Sequence, residues 1–266
     1  MNYGKVLLTH FADRVPIWVT FNEPLLYAFN FQGVDNVVHA HAQVYKFYHN
    51  ELKAKGKLGI KFNDNFGVPK NPKNSSHVDA ANRFNEMQLG FFGNPIFRGE
   101  QYPKSILDTL PGAKPLNDSE LKYINGTSDF FGIDPYTATV VSPADEGIET
   151  CSKSTAESNL LFPYCVKQET ENIYGWNIGY RSGEFSTYSA TLSAVSWGPF
   201  ANQLESYVYI TPTYFREYLL YLWNTFRHPV FVSEFGFPVY GEADKDLPDQ
   251  LYVSPLLILM LSNVPC

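Results

Sequence analysis

Cysteine is scarce in this chain, with three residues in 266, at Cys151, Cys165 and Cys266, and no CxxC pair. That spacing excludes a zinc ribbon or a thioredoxin-like redox motif. Cys151 and Cys165 flank a stretch containing Ser and Thr, and they can pair with each other if the compartment is oxidising. Basic clusters are missing as well. Lys and Arg total 20 against 27 Asp and Glu, they are scattered, and the net charge is −7. This argues against a nucleic-acid partner or an anionic membrane surface. Long apolar runs are absent, because the tail segment 254–261 falls far short of the ~20 residues that span a bilayer. The opening MNYGKVLLTHFADRVP lacks the form of a signal peptide, since charged residues follow its short apolar run. Sequons at Asn74, Asn117 and Asn125 lie in polar surroundings and tilt the compartment only slightly towards the extracellular side.

Apolar residues are plentiful at 44%, against 18% charged, so a sizeable core is available. Most of the 21 Phe, 18 Tyr and 4 Trp are expected to pack that core. Aromatic faces also stack on sugar rings, and the composition fits both uses.

Strand-like and helix-like segments alternate. Residues 17–21, 58–62, 130–134 and 230–233 read as buried strands. A helix is expected after the aromatic loop 25–33, running to about residue 55, with Val37, Ala40, Val44 and Phe47 on one face and Gly56 as its stop. Ser76 with Asp79 resembles a capping box opening a helix over 77–90. Residues 93–114 read as an irregular connection, and Asn117 opens a short helix. From 142 to 207 no period is visible, which suggests a decorated loop over a binding face. Thr211-Pro212 suits a helix start, and Phe215, Leu219, Leu222 and Phe226 form its stripe. Four strands with helical crossovers imply an α/β fold with a parallel sheet.

Two acids stand out at strand ends. TFNEP at 20–24 and VSEFGFP at 232–238 each place one glutamate, Glu23 and Glu234, after an apolar run. Burying a charge there is costly for stability, yet the carboxyl ends of parallel strands are where such sheets bind ligands. Two carboxyls facing one bond are what glycoside cleavage requires, and retaining enzymes hold them about 5–5.5 Å apart. The alternative for each acid is a buried ion pair. His39 and His41 stand two apart on a helix, hence on different faces, and do not make a metal site. Arg83 is open between a surface role and an approach to the nucleophile.

With these strings in hand, the chain resembles glycoside hydrolase family 1, the β-glucosidase family, particularly its fungal members. TFNEP is similar to the family string ending the fourth strand of a (β/α)8 TIM barrel. The resemblance implies that Glu23 is the acid/base and that Asn22 binds the sugar 2-hydroxyl. Glu234 takes the place of the nucleophile in the seventh-strand TENG string, with Phe235 where Asn is usual. DFFGIDPY at 129–136 resembles the sixth-strand string. It places Tyr136 as the hydrogen-bond donor to the nucleophile and Asp134 where the family has Asn. Trp197 matches the tryptophan lining the aglycone side. Strings at 79–83, 90–95 and 99–103 resemble AAxR, GWFxxP and GDYP.

The resemblance implies an incomplete barrel of about strands four to seven over 1–250, followed by an atypical tail over 251–266. It implies a retaining β-glycosidase acting on a β-glucoside or oligosaccharide, with no metal, no cofactor, no nucleic acid and no membrane as partner. Because glycone-gripping strands are expected outside 1–266, little turnover is expected of the chain alone. The other readings are an inactive remnant that binds sugar weakly, or a cellulase-like glycosidase of a related barrel family.

Overall fold

The fold is that of a computed structural model, which describes residues 2–28, 30–63, 65–156, 158–181, 208–236 and 246. In chain order the elements begin with α1 (Asn2–Phe11), β1 (Ile17–Asn22), α2 (Phe31–Lys46), β2 (Lys57–Asn63), β3 (Phe66–Pro69) and α3 (Ser75–Asn85). Then follow α4 (Phe91–Gly93), α5 (Lys104–Thr109), α6 (Asp118–Ile124), β4 (Phe131–Asp134), β5 (Ala138–Pro143) and α7 (Gly147–Cys151). The last are β6 (Val166–Glu169), β7 (Tyr180–Arg181), β8 (Tyr209–Ile210), α8 (Pro212–Phe226) and β9 (Val230–Val232).

The four expected strands form one parallel sheet in the order β1-β2-β4-β9. Side chains alternate across a strand, so each strand has a helix-facing set and an opposite set. Ile60, Phe62, Phe131 and Ile133 face the helices and join Val34 and Val38 of α2, Phe92 of α4, and Leu222 and Phe226 of α8 in one core. By the same alternation Gly59, Lys61, Gly132 and Asp134 share the other face. On that face Ile17, Val19 and Phe231 are exposed. Among the described residues β1 and β9 are the sheet edges, so the barrel is not closed.

Local signals explain most boundaries. Asn30 caps α2, its side-chain oxygen accepting from the Gly33 N–H at 2.8 Å. The helix continues through a wide turn, Phe47–Glu51. Gly56 has a packing role beyond stopping a helix, because a Cβ there would lie 2.4 Å from the Tyr48 hydroxyl and 2.6 Å from the Pro16 carbonyl. The expected cap at Ser76 is displaced: α3 starts at Ser75, capped by Asn74, whose oxygen accepts from the Ser76 N–H at 3.0 Å. The reach of Asn at i to i+2 outcompetes a Ser two residues later. Asn117 and Glu120 form a reciprocal capping box on α6.

The reading of 142–207 as one structureless loop is corrected where it is described. β5 pairs antiparallel with β6 and parallel with β3, forming a three-stranded arm. Val141 and Val166 of the arm pack on Ala80, Ala81 and Phe84 of α3. A disulfide between Cys151 and Cys165 ties α7 to the start of β6. The tail 251–266 lies outside the described residues.

Candidate active site

The carboxyl end of the parallel sheet gathers Glu23, Lys61, Asp134, Tyr136 and Glu234, with Asn22 and Ser233 beside them. Asn22 and Lys61 are register partners on β1 and β2, where β1 bulges between Val19 and Asn22. The next residue, Glu23, donates its N–H to the Lys61 carbonyl at 3.0 Å. Its backbone lies in the left-handed region, φ 48° and ψ 54°, and Pro24 opens a short 3-10 turn directly behind it. Asp134 closes β4 opposite Asn63. Ser233 fastens the segment after β9, its N–H and hydroxyl both donating to the Ile133 carbonyl at 3.1 Å. Glu234 follows. Tyr136 hangs from the turn that leaves β4.

One carboxylate oxygen from each of Glu23, Asp134 and Glu234 lies within 4.8 Å of the other two. Lys61 sits among them. Its ammonium is 2.5 Å from Asp134 Oδ2 and also contacts Glu234 Oε2, while the Tyr136 hydroxyl donates to Glu234 Oε1. Lys61 is 4% exposed and Asp134 1%, whereas the Glu234 side chain is 45% exposed. Gly132 keeps this corner open, since a Cβ there would come 2.7 Å from the Ile60 carbonyl and press on Lys61.

The environments push the acids apart. Lys61 and then Tyr136 hold Glu234 below the usual carboxylate range, because each of its oxygens accepts from a donor. Burial raises Asp134 to about 7, with the hydrogen bond to Glu23 adding to it and Lys61 opposing. Burial works against the charge on Lys61, but its hydrogen bonds to Asp134 and Glu234 outweigh this and raise its pKa. A carboxylate held ionised by Lys61 and Tyr136 therefore faces a buried acid, Asp134, that keeps its proton towards neutrality. The Lys61 ammonium already supplies the positive charge that three clustered acids call for.

Of the residues singled out in the sequence, Glu23, Glu234 and Tyr136 converge here. Asn22 sits at the exposed end of β1 beside Glu23. Trp197 lies outside the described residues. Arg83 is elsewhere: it donates to Thr109 Oγ1 at 2.6 Å and to the Tyr164 carbonyl at 2.7 Å, tying α3 to α5 and the arm. His41 is buried in the core against Thr20, and His39 lies beside Asp35. Lys61 was missed by sequence reasoning. Its signal was available: a lone charge inside the apolar run Leu58-Gly-Ile-Lys-Phe62.

A half-open parallel α/β sheet with acids clustered at its carboxyl strand ends defines the class: part of an α/β barrel. The profile of the family "Glycosyl hydrolase family 1" matches residues 26–254, and the chain belongs to that family. It is 26% identical to Beta-glucosidase 1B of Phanerodontia chrysosporium over 283 residues, covering 94% of this chain and 45% of that protein. It is 31% identical to Myrosinase 1 of Brevicoryne brassicae over 170 residues, 53% of this chain and 36% of that one. Among solved structures it superposes on beta-glucosidase 2 of Trichoderma reesei in complex with Tris with a TM-score of 0.76 at 21% identity, covering 99% of this chain and 56% of that one. For the beta-glucosidase of Humicola insolens in complex with glucose the TM-score is 0.72 at 22% identity, with 94% and 52% covered. These likenesses identify the fold as that of an incomplete (β/α)8 barrel. The chain spans about half the length of the relatives it matches.

Proposed function

We propose that this chain carries the catalytic carboxyls of a retaining β-glycosidase of β-glucosidase type. The observation that carries the reading is the short spacing of the Glu23 and Glu234 oxygens, within 4.8 Å, on the same end of one sheet. Inverting enzymes hold their carboxyls roughly 6.5–9.5 Å apart to admit a water, so this spacing favours double displacement. Glu234, kept ionised by two donors, attacks the anomeric carbon while Glu23 gives its proton to the leaving oxygen. Glu23 then takes a proton from water as that water breaks the glycosyl ester. Asn22 is assigned to the sugar 2-hydroxyl and Trp197 to the aglycone side, both by resemblance.

The domain reading, a partial barrel over 1–250 with a separate tail, belongs to this proposal. Substrates are β-glucosides or oligosaccharides, as the names of the relatives suggest. No helix among the described residues is long and apolar enough to cross a membrane. The Cys151–Cys165 bridge supports an oxidising, extracellular compartment.

Covalent trapping tests the chemistry. An activated fluoro-sugar β-glucoside needs only the first displacement, so even a slow catalyst accumulates adduct. Mass spectrometry is expected to find one glycosyl unit on the peptide holding Glu234, and none in Glu234→Gln. Absence of adduct under conditions that label a full-length β-glucosidase would favour the weak sugar-binding remnant. An adduct on another residue would remove Glu234 from the role.

A further inference from the structure

Lys61 and Asp134 stand between the two candidate catalytic acids, and neither belongs to the pair. The titratable groups facing Asp134 among the described residues are Glu23 after β1, Lys61 on β2 and Glu234 after β9, with Tyr136 on the far side of Glu234. Three carboxyls packed within 4.8 Å cannot all be ionised cheaply against one ammonium. The arrangement is relieved by a single proton. Glu234 is a poor place for it, since a donor already occupies each of its oxygens. Asp134 Oδ2 is paired with the Lys61 ammonium at 2.5 Å, and a Glu23 carboxyl oxygen lies within 4.8 Å of the Asp134 carboxyl, so a proton held here has carboxyl oxygens from both residues within reach.

We infer that Lys61 and Asp134 are a positioning pair that sets the charge states of the site: Lys61 holds Glu234 as carboxylate, and Asp134 shares one proton with Glu23. The inference rests on the glycosidase reading only for its use in turnover. In the resting site Lys61 is positive, Glu234 negative, and the Glu23–Asp134 pair carries one negative charge. As Glu234 forms its ester bond and the glycosidic C–O bond breaks, the shared proton leaves from Glu23 to the leaving oxygen. Both members of the pair are then anionic, Glu234 is neutral, and the site keeps the same net charge. Lys61, released from Glu234, turns its charge on Asp134. Glu23 is left beside a second carboxylate, which strengthens it as the base that accepts the proton of the attacking water.

Infrared titration of the purified chain reads the proton without substrate. The expected result is a protonated-carboxyl band that persists towards neutrality and disappears at about pH 7. In Asp134→Asn that band should move down to the ordinary carboxylate range, about 4. Lys61→Met should move it up, and Lys61→Arg, which restores the cation, should return it near the original. Glu23→Gln, altered outside the packed strands, removes the sharing partner and should lower the titration even if Asp134→Asn does not fold. A wild-type chain with no protonated carboxyl above about pH 5, or a band that both Asp134→Asn and Glu23→Gln leave unmoved, overturns the inference. Trapping decides separately: the titration without an adduct keeps the charge assignment and discards the glycosidase, and an adduct without the titration does the reverse.

Discussion

Acidification should destabilise this chain through a residue that takes no part in the proposed chemistry. His41 is fully buried on α2, with the Thr20 hydroxyl 2.7 Å from Nδ1. Burial lowers its pKa from 6.5 to about 4, with a backbone contact to Thr127 partly offsetting. In the unfolded chain the imidazole titrates normally, so between these values the unfolded state binds the extra proton. The contribution is fully present above pH 6.5 and is lost as pH falls towards 4. A depression of this size corresponds to about 3 kcal/mol, of which about 2.5 should be gone by pH 4.5. Urea unfolding near neutrality and near pH 4.5 measures it. With a slope of about 2.5 kcal/mol per molar, the midpoint should fall by about 1 M from this residue alone. His41→Leu keeps the site apolar and leaves Thr20 its second contact, the Gly59 carbonyl at 3.2 Å. The variant should lose that part of the acid sensitivity, while the part due to carboxylates remains. Equal midpoint shifts in wild type and His41→Leu would refute the reasoning.

Other expectations concern the site and the arm. Tyr136→Phe removes the donor on Glu234 Oε1 and raises the pKa of that acid. Since Glu234 must be ionised to attack, the acid limb of the trapping rate should move to higher pH, an effect that solvent screening keeps small at so exposed a group. An unmoved limb would separate Tyr136 from the nucleophile. Reduction of the Cys151–Cys165 bridge, which closes a segment with sequence separation 14, should cost about 3 kcal/mol. Thermal melting with and without reductant reads this, and equal melting temperatures would count against the bridge.

The four strands of the sheet were readable because each is a short β-branched and aromatic run, and all four lie within a residue or two of the expected positions. α8 was readable because one face repeats every three to four residues. The arm was not. Val166-Lys-Gln-Glu169 buries only its first residue, and its pairing with β5 depends on partners more than twenty residues away. α1 carried no clear stripe, since Leu8 is its only buried residue, while Tyr3, Val6 and Phe11 stay exposed. At the site, the motifs named Glu23, Glu234 and Tyr136, but the charge relation between them runs through Lys61. A lysine inside an apolar run announces a partner without saying which. Only the registers of β2 with β1 and β4 bring Lys61, Asp134 and Glu23 to one corner.

Glu23 itself occupies a backbone conformation that glycine adopts freely and glutamate does not. Such a residue costs of order 1 kcal/mol, and here it is held by the bond to Lys61 and the proline behind it. The bearing of this carboxyl is thus dictated by the main chain rather than by neighbours crowding its side chain. Selection for a sturdier fold would replace Glu23 with glycine, and the backbone would welcome the change. A Glu23→Gly change would thus set an easier backbone against the loss of the proposed catalytic carboxyl.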